Sequence, residues 1–284
     1  MLRHSFHFHR LALSRFFTVF PLRPLTVTNS YRSPVKTLSY WHRPHTSKTR
    51  LPILFVHGIG IGLYPYVDFL AELNRANKLQ DADGDVGIIA VEIMSMSFRI
   101  TQPALGKDDM CNEIDTILKT HGWDKFVLIS HSYGTVISTH LLHHPTISTK
   151  IGPILLIDPV SFLLHLPDVA YNFTARKPKR ANEHQLYYFA SKDMGVSHTL
   201  SRRFFWSENI LWKDDIEGHQ ATVALSGKDL IVDSNAVREY LTKEKSTNLD
   251  VLWFRDLDHA QVFDSKKNRD ILVGVARRYC TERV

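Results

Sequence analysis

The chain has 284 residues, of which 44% are hydrophobic and 23% are charged, so it can bury a large core and is not disordered throughout. Its formal net charge of +6 is unevenly distributed, because the first 50 residues contain nine basic residues and no acidic ones. The remaining residues contain 26 basic and 29 acidic side chains. This nearly neutral body excludes the basic surface that is typical of a nucleic-acid-binding protein.

Residues 1–34 form a basic, acid-free segment, and the first acidic residue of the chain is Asp68. Its composition is typical of a mitochondrial presequence. A membrane-surface amphipathic helix or a structured lead-in to the domain are alternatives. The side chains that would share one helical face are Leu2, Phe6, His9, Leu13, Phe16 and Phe20. We therefore expect an intracellular protein that is either mitochondrial or in peripheral contact with a membrane through this segment.

The cysteine count and the lengths of the apolar runs bear on redox state, metal binding and membrane insertion. Cys111 and Cys280 are too few and too distant for a disulfide framework or a zinc site, so both are expected to be reduced thiols. In addition, no apolar run reaches the roughly 20 residues that are needed to cross a bilayer.

From residue 35 onward, apolar runs alternate with amphipathic segments, which predicts a mostly parallel sheet flanked by helices. The candidate strands are "KTLSYWHR", "LPILFVHG", "VGIIAVEI", "KFVLIS", "GPILLIDPV", "ATVALSG" and "LDVLWFR". The candidate helices are "YVDFLAELNRAN", "DMCNEIDTILKTHG", "TVISTHLLHH", "DSNAVREYLTKE" and "KKNRDILVGVARRYC". Several candidate strands are continuous Val, Ile and Leu runs, as expected of strands that are buried on both faces.

Residues 161–219 interrupt this alternation with aromatic and apolar residues that lack strand character. Such a long excursion between two strands predicts an inserted cap or lid, although a βα crossover with a long loop is an alternative. A cap would let Phe204, Phe205 and Trp206 line an apolar pocket.

The stretch "VLISHSYGTV" places Ser132 at a sharp turn between a strand and a helix. This is the context of the G-x-S-x-G motif of a nucleophilic serine, with Gly134 after the serine but Ser130 in place of the first glycine. The turn leaves the amide of Tyr133 at a helix N-terminus, where it can face an oxyanion. Ser130 is still part of the strand and is the poorer candidate for a nucleophile.

The earlier stretch "LFVHGIGIG" ends a strand in His57 and Gly58 and continues into a glycine-rich turn that includes Gly60. Glycines allow backbone N–H groups to turn toward a substrate oxygen, and the amide of Ile59 is the second candidate oxyanion donor. The turn lacks the Gly-Lys-Ser/Thr ending of a phosphate-binding loop, so nucleotide binding is not expected.

A serine nucleophile needs a base and an acid that orients the base. Asp229 in "SGKD" follows one strand, and His259 in "DHAQVF" follows the last strand. Two other aspartates compete for the role of the acid: Asp158 also ends a strand, while Asp233 is better explained as a helix N-cap. The order serine, aspartate, histidine is the chain order of the α/β-hydrolases.

Through "HGIG", "SHSYG", "SGKD" and "DHAQVF", residues 35–284 resemble the α/β-hydrolase superfamily. The opening "LSYWHRP" with "LPILFVHGIGIGLYPY" is also similar to fungal α/β-hydrolase-fold proteins of poorly defined substrate. The resemblance implies a catalytic triad of Ser132, Asp229 and His259 and a helical cap inserted after the sixth strand, at about residues 161–219. Ser130 in place of glycine departs from the motif.

The function expected from these residues is serine hydrolysis of a carboxylester or lipid-like ester through an acyl-enzyme, without metal or organic cofactor. The expected partner is therefore a small ester or lipid-like substrate. A non-catalytic binding or scaffold protein and a membrane-surface acyltransferase are the alternatives.

Overall fold

An eight-stranded sheet organises the part of the chain that the computed structural model describes, which is residues 13–22, 31–78, 83–99, 101–244 and 247–281. Its strands are β1 (Thr18–Phe20), β2 (Ser39–Arg43), β3 (Ile53–Val56), β4 (Ile88–Glu92), β5 (Phe126–His131), β6 (Ile151–Ile157), β7 (Ala221–Ser226) and β8 (Leu249–Phe254). Their spatial order is β1-β2-β4-β3-β5-β6-β7-β8. The pairs β1–β2 and β2–β4 are antiparallel, and all other neighbours are parallel.

The seven strands predicted from the sequence are all present, and β1 is an eighth that was not predicted. Every residue of β3 to β7 is buried, which explains why these strands are continuous apolar runs rather than alternating patterns. Successive side chains serve opposite faces: Leu54 and Val56 belong to one core cluster, and Ile53 and Phe55 to the other.

Helices cover both faces of the sheet. The larger helices are α1 (Val67–Lys78), α2 (Lys107–Thr120), α3 (Gly134–Leu142), α8 (Ser234–Thr242) and α9 (Lys266–Thr281). Buried residues of α2, α3 and α8 join one core cluster, while those of α1 and α9 join the other. The predicted fold class, a mostly parallel sheet flanked by helices, is confirmed.

Four short α-helices lie between β6, the sixth strand, and β7. They are α4 (Asp168–Ala170), α5 (Ala181–Leu186), α6 (Met194–Arg202) and α7 (Trp206–Asn209). We call residues 161–219 the insertion. Because β6 and β7 are parallel neighbours, the insertion begins at the carboxyl end of β6 and the chain must cross the sheet again to enter β7 at its amino end.

Part of the N-terminal segment packs against the sheet. Leu13 and Phe17 are buried in the core cluster that contains Trp41, and β1 pairs with β2 from Thr18 to Phe20. Most of the predicted presequence helix falls on residues 1–12, which lie outside the described residues. Among the helices of the described ranges, none is both long and apolar enough to cross a membrane.

Candidate active site

Ser132 sits at the turn between β5 and α3 with a positive φ of 51°, a conformation that is uncommon for a residue other than glycine. The turn is fixed from both sides. The amide of Ser132 donates to the carbonyl of Ile157 at 3.0 Å, and its own carbonyl accepts from the amide and the hydroxyl of Thr135 at 2.9 and 2.6 Å. Such a constrained turn presents a side chain in one direction at the carboxyl end of the sheet.

The glycines around this turn are required by close backbone contacts. A Cβ on Gly134 would lie 2.3 Å from the carbonyl oxygen of Val56, and one on Gly58 would lie 2.8 Å from the Cβ of Ser132. Neither position can hold a larger residue unless the end of β3 moves away from the turn. Gly60 needs its glycine for a different reason, because its φ is +145°.

Ser130 takes the place of the first glycine of the motif, and its buried hydroxyl has a hydrogen-bond partner. It is completely buried, and its Oγ accepts a hydrogen bond from the hydroxyl of Ser138, one helix turn into α3, at 2.8 Å. The hydroxyl of Ser138 also contacts the carbonyl of Gly134 at 3.2 Å. The extra atoms of Ser130 are therefore accommodated by a small polar residue on the following helix.

Ser132, His259 and Asp229 form a continuous hydrogen-bonded chain. The Nε2 atom of His259 lies 2.9 Å from the Oγ of Ser132, and Nδ1 lies 2.6 Å from the Oδ2 of Asp229. Because a carboxylate only accepts, Nδ1 carries the proton, and in the neutral ring Nε2 accepts from the serine hydroxyl. The other oxygen of Asp229 accepts from the amides of Ile231 and Val232 at 2.7 and 3.0 Å, which fixes the carboxylate.

Asp158 and Asp233, the competing acids, have other partners. Asp158 is buried, and its two oxygens accept from the amides of Ser226 and Ala260 at 2.8 and 2.9 Å. Asp233 caps α8 by accepting from the amide of Ala236, as expected from the sequence. Neither aspartate is hydrogen-bonded to the ring of His259.

Asp258, which the sequence analysis did not single out, joins the loops that hold Asp229 and His259. One of its oxygens accepts from the amides of His259 and Leu230 at 2.7 and 3.0 Å, and the other accepts from the side chain of Asn182 in the insertion at 2.6 Å. The only sequence signal for this role is its position immediately before His259.

The amides of Ile59 and Tyr133, the two candidate oxyanion donors, donate to no protein acceptor within the described residues. Both residues line the same cavity as Ser132. His57 holds the loop before Ile59: its Nε2 accepts from the amide of Ile93 at 2.9 Å, so Nδ1 carries the proton that reaches the carbonyl of Gly58 at 2.6 Å.

Tyr66 and His131 form a second support for this loop. The amide of Gly58 donates to the hydroxyl of Tyr66 at 3.0 Å, and that hydroxyl donates to the Nδ1 of His131 at 2.7 Å. Burial lowers the pKa of His131 well below its usual value, so the ring is neutral and can accept. The sequence analysis gave His131 no role, because the contact with Tyr66 depends on chain segments that are far apart in sequence.

Charges around His259 set its protonation. Burial alone would lower the pKa of His259, but the carboxylates of Asp229 and Asp158 outweigh burial and hold that pKa above its usual value. Burial raises the pKa of Asp158 to about 6, against the opposing effect of its hydrogen bonds. The site therefore stabilises an imidazolium, which is the form that His259 would take after accepting a proton.

Asp158, Asp229 and His259 are also the group of potential metal ligands found within the described residues, with ligand atoms within 4.8 Å of one another. Every one of these ligand atoms is already engaged. The carboxylate oxygens accept from backbone amides or from the ring, and the ring contacts Ser132. Metal binding would have to displace these bonds, so the donor set fits a hydrogen-bonded site better than a metal centre.

A cavity of about 480 Å³ opens onto Ser132. Among the described residues that line it, none is Asp, Glu, Lys or Arg, and most of them belong to the insertion. Of the three aromatic residues predicted to line a pocket, Phe204 and Trp206 do so, whereas Phe205 is 59% exposed and does not. The lining residues outside the insertion are Ile59, Ser132, Tyr133, Val160 and Ile231.

Comparison with known proteins places this geometry in a family. A family model described as alpha/beta hydrolase fold matches residues 52–208, which run from β3 into the insertion. No curated protein matches the chain. The chain is similar to the solved structure of carboxylesterase CesB from Bacillus subtilis, with 12% identity, a TM-score of 0.59, and coverage of 97% of this chain and 98% of that chain.

Two other solved structures show the same fold at low identity. A carboxylesterase structure from Nitrososphaera gargenis is 18% identical to the chain, with a TM-score of 0.56 over 87% of this chain and 97% of that chain. A putative lipase from Acinetobacter baumannii gives 10% identity and a TM-score of 0.59 over 98% and 95%. Because the family model covers more than half of the chain and the sheet has the matching architecture, the chain belongs to the alpha/beta hydrolase fold family.

Proposed function

We propose that the protein is a serine hydrolase that cleaves an ester through an acyl-enzyme intermediate. The observation that carries the proposal is the hydrogen-bonded chain from Ser132 through His259 to Asp229, which opens directly onto an apolar cavity. The carboxylesterases and the putative lipase named above are consistent with this activity, although their likeness to the chain supports the fold alone.

In the first half-reaction, the Oγ of Ser132 attacks the ester carbonyl carbon while the Nε2 of His259 accepts the serine proton. Asp229 keeps the ring in the required tautomer and stabilises the imidazolium. The carbonyl oxygen becomes an oxyanion, to which the amides of Ile59 and Tyr133 donate. Removal of one such donor typically costs about 10²- to 10³-fold in rate.

Collapse of the tetrahedral intermediate breaks the bond to the leaving alkoxide, which takes the proton from His259 and departs as an alcohol. A water molecule then attacks the acyl-enzyme while His259 again accepts a proton. The acid is released, and Ser132 regains its hydrogen. No step in this sequence requires a metal or an organic cofactor.

The cavity wall favours an apolar acyl or alkyl group over a charged one. Leu164, Val169, Phe173 and Leu200 contribute apolar surface, and no charged side chain is available to pair with an ionic substrate. We therefore propose a carboxylester or lipid-like ester as the substrate class. In this proposal the insertion acts as a cap on a hydrolase domain that spans residues 35–284.

The test combines labelling with turnover. A fluorophosphonate probe should label the wild-type chain and the Ser130→Ala variant but not Ser132→Ala, since of the two serines Ser132 is the one that is hydrogen-bonded to His259. Hydrolysis of p-nitrophenyl esters should depend on acyl-chain length and should fall by about 10⁴-fold or more in Ser132→Ala. Labelling that persists in Ser132→Ala would assign the nucleophile elsewhere.

The same assays separate the alternatives. A folded chain that neither reacts with the probe nor turns over any ester would be a binding or scaffold protein. If the labelled acyl-enzyme passes its acyl group to an added alcohol faster than to water, the activity is that of an acyltransferase.

A further inference from the structure

Large apolar side chains are exposed mainly on the insertion. Nine of the eleven exposed large hydrophobic residues in the described part of the chain lie there, although the insertion is a minor part of the chain. They are Leu166, Tyr171, Tyr187, Tyr188, Phe189, Met194, Phe205, Trp206 and Trp212. Single exposed apolar residues are common on protein surfaces, but such a concentration marks a site of interaction.

Part of this exposed surface borders the mouth of the cavity. Leu166 and Trp206 both line the cavity and are exposed, Trp206 by 53%, so they stand where the cavity meets solvent. Phe205 precedes Trp206 and is exposed as well. Trp212 packs against His165, another lining residue, with ring centroids 5.5 Å apart. We call Leu166, Phe205, Trp206 and Trp212 the rim.

Three of the four rim residues, Leu166, Phe205 and Trp206, lie in a basic part of the insertion. Residues 161–206 contain seven basic and three acidic residues, whereas residues 207–219, which include Trp212, contain one basic and four acidic ones. Arg202 and Arg203, both exposed, lie between the lining residues Ser201 and Phe204. Near Phe205 and Trp206, the cavity mouth is thus bordered by aromatic and basic side chains.

Aromatic residues beside basic ones suit the surface of an anionic lipid bilayer, where the rings enter the headgroup region and the cations face lipid phosphates. We propose that the rim is a docking surface for an anionic bilayer and that the cavity takes its ester from that bilayer. The second part of this proposal rests on the proposed hydrolase function, but the first does not.

This docking surface differs from the membrane contact expected from the sequence, which was placed in residues 1–34. The rim lies instead on the insertion, next to the candidate nucleophile. A lipid ester that leaves a bilayer beneath the rim would pass Leu166 and Trp206 into a cavity whose described lining holds no Asp, Glu, Lys or Arg, so its apolar chain would remain shielded from water.

The experiment is flotation of the full-length Ser132→Ala chain with phosphatidylcholine vesicles, with and without phosphatidylglycerol. The inactive chain keeps the vesicles intact and makes binding independent of hydrolysis. We expect binding to the phosphatidylglycerol vesicles, weakened about tenfold or more by the double substitution Phe205→Ser and Trp206→Ser, because two large side chains lose their burial. Arg202→Ser should weaken binding about fivefold at low salt.

Matched controls lie outside the insertion. Ile271, on α9, is 43% exposed, and Lys267, on the same helix, is an exposed base. Ile271→Ser and Lys267→Ser should leave flotation unchanged. Thermal unfolding of all variants would show whether each one is folded.

Three outcomes would overturn the proposal. The first is that the parent chain fails to float with phosphatidylglycerol vesicles. The second is that it floats equally well after the rim substitutions, which would place the contact elsewhere, for example in the basic N-terminal segment. The third is that the rim substitutions abolish a concentration-dependent dimer instead, which would assign the surface to a second copy of the chain. Since probe labelling is measured separately, loss of the hydrolase proposal would leave the flotation result intact.

Discussion

The carboxylate of Asp158 accepts a hydrogen bond at 2.9 Å from the amide of Ala260, the residue that follows His259. Its other oxygen accepts from the amide of Ser226 at the end of β7, three residues before Asp229. One buried side chain therefore connects the loop of the candidate acid to the loop of the candidate base. Asp158 acts through these backbone contacts as a positioning residue and through its charge on His259.

Separate substitution of Asp229 and Asp158 by asparagine should distinguish their roles. Asp229→Asn leaves the ring of His259 without its carboxylate partner and should lower kcat by about 10⁴-fold. Asp158→Asn keeps one oxygen that can accept from an amide and should lower kcat by about tenfold. It should also lower the free energy of unfolding by about 2 kcal/mol, because one buried amide loses its acceptor. Steady-state kinetics and chemical denaturation measure both effects. A larger loss of kcat in Asp158→Asn than in Asp229→Asn would make Asp158 the acid.

The dependence of activity on pH should report the raised pKa of His259. The base must be neutral to accept the serine proton, so kcat/KM falls as the pH drops through that pKa. Because Asp229 and Asp158 hold it above the usual value of 6.5, the acid limb should lie above pH 6.5. Removal of the charge in Asp158→Asn should move this limb to lower pH. An acid limb that stays in place would show that Asp158 does not act on the ring through its charge.

Gly134→Ala should test the close contact beneath the turn. The added Cβ would lie 2.3 Å from the carbonyl oxygen of Val56, which belongs to the backbone of a buried strand and cannot rotate away. We expect a loss of roughly 2–4 kcal/mol in the free energy of unfolding, from overpacking. Denaturant titration measures it. Gly274→Ala on α9 is the control, because its Cβ would meet no atom within 4 Å; similar stability of the two variants would contradict the model of a crowded turn.

Ser130→Ala should leave the chemistry unchanged. The substitution removes the acceptor of the Ser138 hydroxyl, but that hydroxyl also contacts the carbonyl of Gly134, so the cost in stability should be at most about 1 kcal/mol. Probe labelling and kcat should equal those of the wild type. A large fall in kcat with unchanged stability would mean that Ser130 contributes to the reaction itself.

Much of the sheet could be predicted because buried parallel strands appear in the sequence as continuous apolar runs between helical patterns. The meeting of Ser132, Asp229 and His259 followed from the same pattern, since the carboxyl ends of parallel strands share one edge of the sheet. The chain order of these three residues then restricted the assignment to one family of folds.

Other features depend on information that the sequence does not display locally. The partners of Asp158 follow from the register of β6 against β7, in which the amide of Asp158 donates to the carbonyl of Ala224 at 2.8 Å. Phe205 and Trp206 have similar chemistry in sequence, yet one is only exposed and the other also lines the cavity. Three residues, Thr18–Phe20, are too few to show a strand period, so β1 was missed.

Strand β1 restricts where the N-terminal segment could be cleaved. A protease that cut near residue 34 would remove β1 together with the buried Leu13 and Phe17, and the backbone of β2 would lose its antiparallel partner. The five-residue β2, with Tyr40 and Trp41, would then replace the three-residue β1 as the edge strand, and a longer edge invites pairing with other chains and aggregation. Maturation that keeps β2 paired with β1 must therefore cut upstream of Leu13.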